Sequence, residues 1–212
     1  MAFRRFLAIG LVGLVLAPIA GGPVRAADPL EARAETLIAS LADKALQALT
    51  VEGASRAMRV GRFRRLFNDN FAVQGMAKWI LGRYWRRASE QERSEYLFLF
   101  EDMIVVSYVD RFAGYTGETL AITKAVALND NSAMVYSEIV RPTGGPPVRV
   151  DWRVATEDEN MHIVDVVVEG TSMSTTLRSD FSSIIRREGG KVAGLLKVLR
   201  DKTKSLREDL AQ

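Results

Sequence analysis

Residues 161–181 constrain the fold more tightly than any other stretch of the chain. They read Met-His-Ile-Val-Asp-Val-Val-Val-Glu-Gly-Thr-Ser-Met-Ser-Thr-Thr-Leu-Arg-Ser-Asp-Phe. Positions 163–168 are almost wholly β-branched, the composition that fits a pleated, largely buried surface. Strict alternation predicts Val164, Val166 and Val168 on one apolar face, with Ile163, Asp165, Val167 and Glu169 on a wetter one. Gly170 then breaks the strand. The hydroxyls of Thr171, Ser172, Ser174, Thr175 and Thr176 offer caps for a helix carrying Arg178, Phe181, Ile184 and Ile185. A strand running through a polar turn into a helix builds either an ordinary core or one wall of a pocket, and the pattern leaves both open.

Upstream, three more β-rich runs lead into this strand. Residues 118–128 are followed by the turn Asn129-Asp130-Asn131, then by 133–140 and a loop holding Pro142, Gly144, Gly145, Pro146 and Pro147. Residues 148–154 alternate cleanly, with Val148, Val150, Trp152 and Val154 on one face. Four consecutive strands joined by short turns imply an antiparallel sheet over 116–170.

Residues 27–115 read as mainly helical. Asp28 is an N-cap candidate with Pro29 at the first helical position, and Leu30, Ala34, Leu37, Ile38, Leu41 and Ala45 follow at helical spacing. Ser89 with Glu92 makes a capping box for a helix whose apolar residues include Leu97, Phe100, Ile104, Tyr108 and Phe112. Residues 171–212 return to helix, the last over 192–210 with Leu195, Leu196, Leu199 and Leu206 and a fraying tail. The expected fold class is α+β: a helical N-terminal region packed on a four-stranded antiparallel sheet, with C-terminal helices.

The first 26 residues are expected to lie outside that fold. Arg4 and Arg5 precede an apolar run over 6–20, and Val24-Arg25-Ala26 before Ala27 has the spacing of a signal-peptidase site. The run is shorter than the roughly 20 residues a membrane-spanning helix needs. An exported, periplasmic protein cleaved near Ala26 is expected, with 27–212 forming a single domain. The leader carries three of the 29 Lys and Arg and none of the 26 acids, leaving 26 of each in the remainder. Such a balance gives no support to a nucleic-acid binder. The absence of cysteine means no disulfide framework, so the core alone must stabilise the fold.

Charge is nevertheless segregated. Arg56, Arg59, Arg62, Arg64, Arg65, Lys78, Arg83, Arg86 and Arg87 face a single acid, Asp69, and the helix opened by Ser89 is acidic, with Glu90, Glu92, Glu95, Glu101, Asp102 and Asp110. Two readings stand: neighbouring helices with complementary surfaces, or a docking patch for an acidic partner or an anionic membrane.

Chemistry is sparse. One histidine, His162, and no cysteine exclude a thiol nucleophile and a multi-histidine metal site. Gly170-Thr171-Ser172-Met173-Ser174 lacks the closing glycine of a nucleophile elbow, and no phosphate-cradling glycine loop is present. Asp151 or Asp165 is a pocket base in a cone-shaped isomerase or dehydratase, or else a hydrogen-bonded strand aspartate. Trp79, Trp85 and Trp152 read as core or interface residues.

Four blocks carry a resemblance. They are Leu81-Gly82-Arg83-Tyr84-Trp85 with Gln91-Glu92-Arg93 and Phe100; Gly114-Tyr115-Thr116-Gly117-Glu118; Pro146-Pro147-Val148-Arg149-Val150-Asp151-Trp152; and Asp165 with Glu169, Gly170, Ser172, Met173, Thr176, Arg178 and Phe181. In this order they resemble the MlaC, or toluene-tolerance, family of periplasmic lipid-binding proteins, with a hopanoid-associated branch as an alternative. The resemblance implies a deep apolar cavity for phospholipid acyl chains. It also implies transfer of lipid between an outer-membrane lipoprotein complex and an inner-membrane ABC transporter complex, by a monomer that needs neither catalytic group nor cofactor. Met161 and His162 stand where the family often has an aromatic, which bears on the exact ligand. Face and family block together suggest Leu81, Trp85, Phe100, Ile104, Tyr108, Val150, Trp152, Val166, Val168 and Met173 as walls, and Arg83, Arg149 and Arg178 as rim or head-group residues.

Overall fold

In the computed structural model, residues 29–112, 115–157 and 160–208 are described, without the side chains of residues 111 and 112. The expected leader and cleavage site, Asp28, Gly114, the Phe112 side chain and the fraying tail lie outside that set. The helices are α1 (Leu30–Leu49), α2 (Arg56–Asn70), α3 (Val73–Leu81), α4 (Glu90–Tyr108), α5 (Met173–Arg187) and α6 (Val192–Glu208), with short 3-10 turns at Gly82–Tyr84 and Val109–Phe112. The strands are β1 (Thr119–Asn129), β2 (Ser132–Val140), β3 (Val148–Glu157), β4 (Asn160–Val168) and β5 (Thr171–Ser172), paired antiparallel in chain order. The α+β class is as the sequence implied, but the sheet has five strands, not four.

The fifth strand comes from the turn that follows β4. Val168 pairs with Thr171, so Glu169 and Gly170 form a two-residue hairpin loop with φ of 48° and 78°. Positive φ at both central residues is the primed turn that matches strand twist. The chain therefore doubles back for two residues before α5 starts. Ser172 caps that helix, its hydroxyl accepting from the Thr175 backbone N–H.

A second correction concerns the faces of β4. Arg153 pairs with Asp165 and Val154 with Ile163, so Val164 is the extra residue of a bulge. A bulge shifts the inside–outside alternation by one. The face that continues Val150, Trp152 and Val154 therefore carries Val168, Val166 and Ile163, and Val164 drops out of the predicted row. The unpaired edge of β4 is covered where Phe71 bridges to Ile163 and the Ala72 N–H donates to the Ile163 carbonyl.

Two apolar clusters hold the molecule together. α1 lies across β1 and β2, where Ala34, Ile38 and Leu41 meet Ala133, Val135, Val154 and Ile163. α3, α4, α5 and α6 form the other cluster around Tyr96, Phe100, Phe181, Ile185 and Leu195. α4 starts with the expected capping box of Ser89 and Glu92. Its apolar surface is wider than one stripe, because Leu99, Met103, Val105 and Val106 are buried beside Phe100. α1 begins one residue later than expected, with Pro29 in the N-cap position.

The basic and acidic segments meet inside the molecule. Arg56 pairs with Asp110 at 3.1 Å, and Arg64 with Glu101 at 2.7 Å and Asp102 at 2.8 Å. Arg207 of α6 reaches the same Asp102 carboxylate at 2.5 Å, so one side chain only 3% exposed ties three helices. Of the two readings of the charge pattern, the complementary helix surfaces account for these arginines.

Candidate functional site

The face of the sheet turned toward α1 is apolar on every main strand. Its rows follow from the register: Leu120 and Ile122 on β1, Val135 and Ile139 on β2, Val150 and Trp152 on β3, Val166 and Val168 on β4. α1 packs mainly over β1 and β2 and reaches Val154 and Ile163. Toward β3 and β4, Trp152, Val166, Val168 and Val148 remain only half-buried. Ser137 interrupts the middle of the face. It is 1% exposed, accepts the Trp152 indole N–H at 3.0 Å and donates to the Val150 carbonyl at 2.5 Å. That relay fixes the indole against the sheet without leaving a buried polar atom unpaired. Sequence reasoning missed Ser137, although a lone hydroxyl in the Ala133, Val135, Ile139 alternation was the signal.

The expected wall residues divide between the two clusters. Leu81 and Phe100 are fully buried in the helical one, with Ile104 half-buried against it. Trp85 packs there too, but its ring is flanked by Lys78 at 5.6 Å and Arg93 at 5.4 Å. Trp152 and Val166 pack against the sheet cluster, while Val150 and Val168 are neighbours further along the same face. Tyr108, at the end of α4, and Met173, at the start of α5, are half-buried.

The three rim arginines also divide. Arg83 and Arg178 meet at a half-open concavity of about 280 Å³, whose lining includes Leu81, Gly82 and Tyr84 on one side and Ser182 and Arg186 on the other. Arg149 stands apart, 3.5 Å from Asp151, with its backbone N–H donating to Glu169. Arg186, Ser182 and Tyr84 were not foreseen. The spacing of Arg178, Ser182 and Arg186, four residues apart on one helical face, was legible.

At this concavity Arg83 donates to the Tyr84 hydroxyl at 3.0 Å. That hydrogen bond holds the phenol below its ordinary pKa against the opposing effect of burial, and the charges of Arg83, Arg186 and Arg87 act the same way. Tyr96 is the contrast. It donates to the Ala77 carbonyl at 3.0 Å, and burial raises its pKa.

Neither strand aspartate lines the concavity. Alternation places both opposite the apolar face. Asp165 accepts from the Ser172 hydroxyl at 2.6 Å, the Ser174 N–H at 3.0 Å and the Val166 N–H at 2.9 Å, which fastens the start of α5 to β4. Asp151 is 8% exposed by its side chain and faces Arg149. Among the described residues there is no group of three or more His, Cys, Asp or Glu side chains suited to a metal ion.

These features define a class: α+β proteins whose antiparallel sheet keeps an apolar face toward helices and its carboxylates on the other. The sequence profile described as MlaC protein matches residues 39–201, and the chain belongs to that family. A relative from Haemophilus influenzae, the intermembrane phospholipid transport system binding protein MlaC, is 22% identical over 113 residues. That match spans 52% of this chain and about half, 53%, of the relative. A solved structure, the phospholipid-binding protein from Ralstonia solanacearum in complex with a phospholipid, superposes with a TM-score of 0.73 at 20% identity. It covers 82% of this chain and 98% of that one, so the two share a fold.

Proposed function

We propose that the protein is a periplasmic carrier that binds phospholipid acyl chains. In this reading it passes lipid between an outer-membrane lipoprotein complex and an inner-membrane ABC transporter complex. The observation that carries the reading is the half-buried apolar row of Trp152, Val166 and Val168, on a sheet face that α1 covers mainly over β1 and β2. Apolar side chains on a face turned toward helices are the surface an acyl chain replaces water on, at about 0.8 kcal/mol per buried methylene. Val150, Trp152, Val166 and Val168 form the sheet wall of the proposed site. Ile104, Tyr108 and Met173, half-buried on the helices, are the helical residues proposed to line it, and Leu81, Trp85 and Phe100 belong to the helical cluster. A carrier of this kind needs no catalytic group and no cofactor. Membership of the MlaC family and the fold shared with a phospholipid-binding protein support the same assignment. Among the described residues no helix is long and apolar enough to cross a membrane.

The test is transfer. Delipidated protein is incubated with vesicles of phosphatidylethanolamine and phosphatidylglycerol, re-isolated and assayed for organic phosphate. Uptake approaching one lipid per chain is expected. Protein that stays free of phosphate, while folded by circular dichroism, would overturn the proposal.

A further inference from the structure

The long basic segment splits in two in the folded chain. Its first half is mostly paired internally: Arg56 and Arg64 are in ion pairs, and Arg59 and Arg62 donate to the carbonyls of Ala54 and Ala48. The second half is not. Arg83 meets Arg178 and Arg186 of α5 across the concavity of about 280 Å³, and among the described residues none of the three has a carboxylate within ion-pair distance. Their recorded hydrogen-bond partners are neutral: the Tyr84 hydroxyl for Arg83, the Trp79 carbonyl at 2.5 Å for Arg178, and the Ser183 hydroxyl at 2.8 Å for Arg186.

We propose that this concavity is a binding site for a phosphate group. Converging guanidinium groups with uncompensated charge are the geometry that recognises tetrahedral oxyanions, because each presents a planar fork of donors. Three guanidiniums with the hydroxyls of Tyr84 and Ser182 supply more donors than the two oxygens of a carboxylate accept. Leu81 is the one aliphatic side chain in the lining, so the concavity suits a phosphate and its ester stub rather than an acyl chain. The backbone is shaped to admit the arginine. Gly82 has φ of 59°, and a Cβ there would lie 2.9 Å from Arg178 Nη2. Beside the site, Trp79 is 50% exposed with the Arg178 guanidinium 4.6 Å from its ring centroid, an arrangement suited to the border between water and lipid.

Phosphate of this kind is carried by a bound lipid's head group, by a bilayer surface or by a free phosphate ester. The inference deepens the lipid reading, but it is tested without acyl chains. The full chain is titrated with glycerol 3-phosphate and followed by amide NMR. Shifts over residues 82–84 and 178–186 are expected, with binding weakened at least tenfold in R83Q/R186Q. A K202Q/K204Q control removes two exposed charges from α6 and should bind as wild type. Should the double variant not fold, R186Q alone, at an exposed helix position, carries the comparison. No shift in wild type, or equal weakening in the control, overturns the site.

Three further outcomes identify the source. Loss of binding to phosphatidylglycerol vesicles in R83Q/R186Q assigns the phosphate to a bilayer. Loss of copurified anionic lipid with vesicle binding unchanged assigns it to the cargo. Glycerol phosphate binding with neither assigns it to a soluble ester. Lipid retained without phosphate binding refutes this site and leaves the carrier reading intact. Phosphate binding without lipid does the reverse.

Discussion

Val168→Trp separates a lipid-facing wall from solid core. Val168 lies on the α1-facing side of β4 opposite Val150, half-buried, and is not among the residues packed in the sheet cluster; Val166, opposite Trp152, is. In a close-packed interior, overpacking of this size costs about 1–3 kcal/mol. Where the space belongs to ligand, the delipidated protein accommodates the indole at little cost. The ligand then loses the volume of roughly three methylenes, about 2.4 kcal/mol at ~0.8 kcal/mol each, which is roughly fiftyfold in affinity. The assay pairs a urea midpoint on delipidated protein with the lipid-to-protein ratio after purification. Val168→Trp should shift the midpoint by less than the equivalent of about 1 kcal/mol and cut copurified lipid severalfold or more. Val166→Trp should cut lipid as well but cost more stability, because the position already supports Trp152. Loss of stability with lipid retained in Val168→Trp would refute the assignment of this face.

Asp102→Ala should destabilise the fold by about 1–3 kcal/mol in urea denaturation, since it leaves Arg64 with Glu101 alone and Arg207 without its carboxylate partner; a smaller effect would mean that solvent already screens the triad. Gly82→Ala should cost about 1–3 kcal/mol by the same measurement, because φ of 59° strains any side chain and the new Cβ meets Arg178. Ser172→Ala should cost about 1 kcal/mol through loss of the α5 cap, with helix fraying visible in amide exchange. In an ultraviolet pH titration Tyr84 should ionise below the ordinary tyrosine range, and Arg83→Gln should move that transition upward, since the hydrogen bond that favours the phenolate is gone.

The sequence made the strand order and the helix caps legible because both are local. Alternation over 148–154 identified the inner face of β3 correctly, and Ser89 with Glu92 marked the start of α4. Alternation failed on β4. Nothing in Ile163-Val164-Asp165 distinguishes a bulged valine from a regular one, because the shift is set by pairing with Arg153 and Val154. β5 was equally hidden, since a glycine ends a strand and tightens a hairpin by the same freedom of φ. Charge told half the story. The run of arginines was visible, but only folding divides Arg56 and Arg64, half-buried in ion pairs, from Arg83, left to face α5. Charge reversal at Arg62 and Arg64 therefore tests stability as well as docking. The resemblance in four blocks led to the family, whereas no spacing rule separates Val168, at a half-buried site, from Phe100 in the core.

The central claim is that the apolar face between sheet and helices holds lipid. Its most direct test is organic extraction and mass spectrometry of the protein purified gently from cells without detergent. The account predicts phospholipid near one molecule per chain, reduced severalfold or more in Val168→Trp. Protein recovered folded and free of any lipid would contradict it.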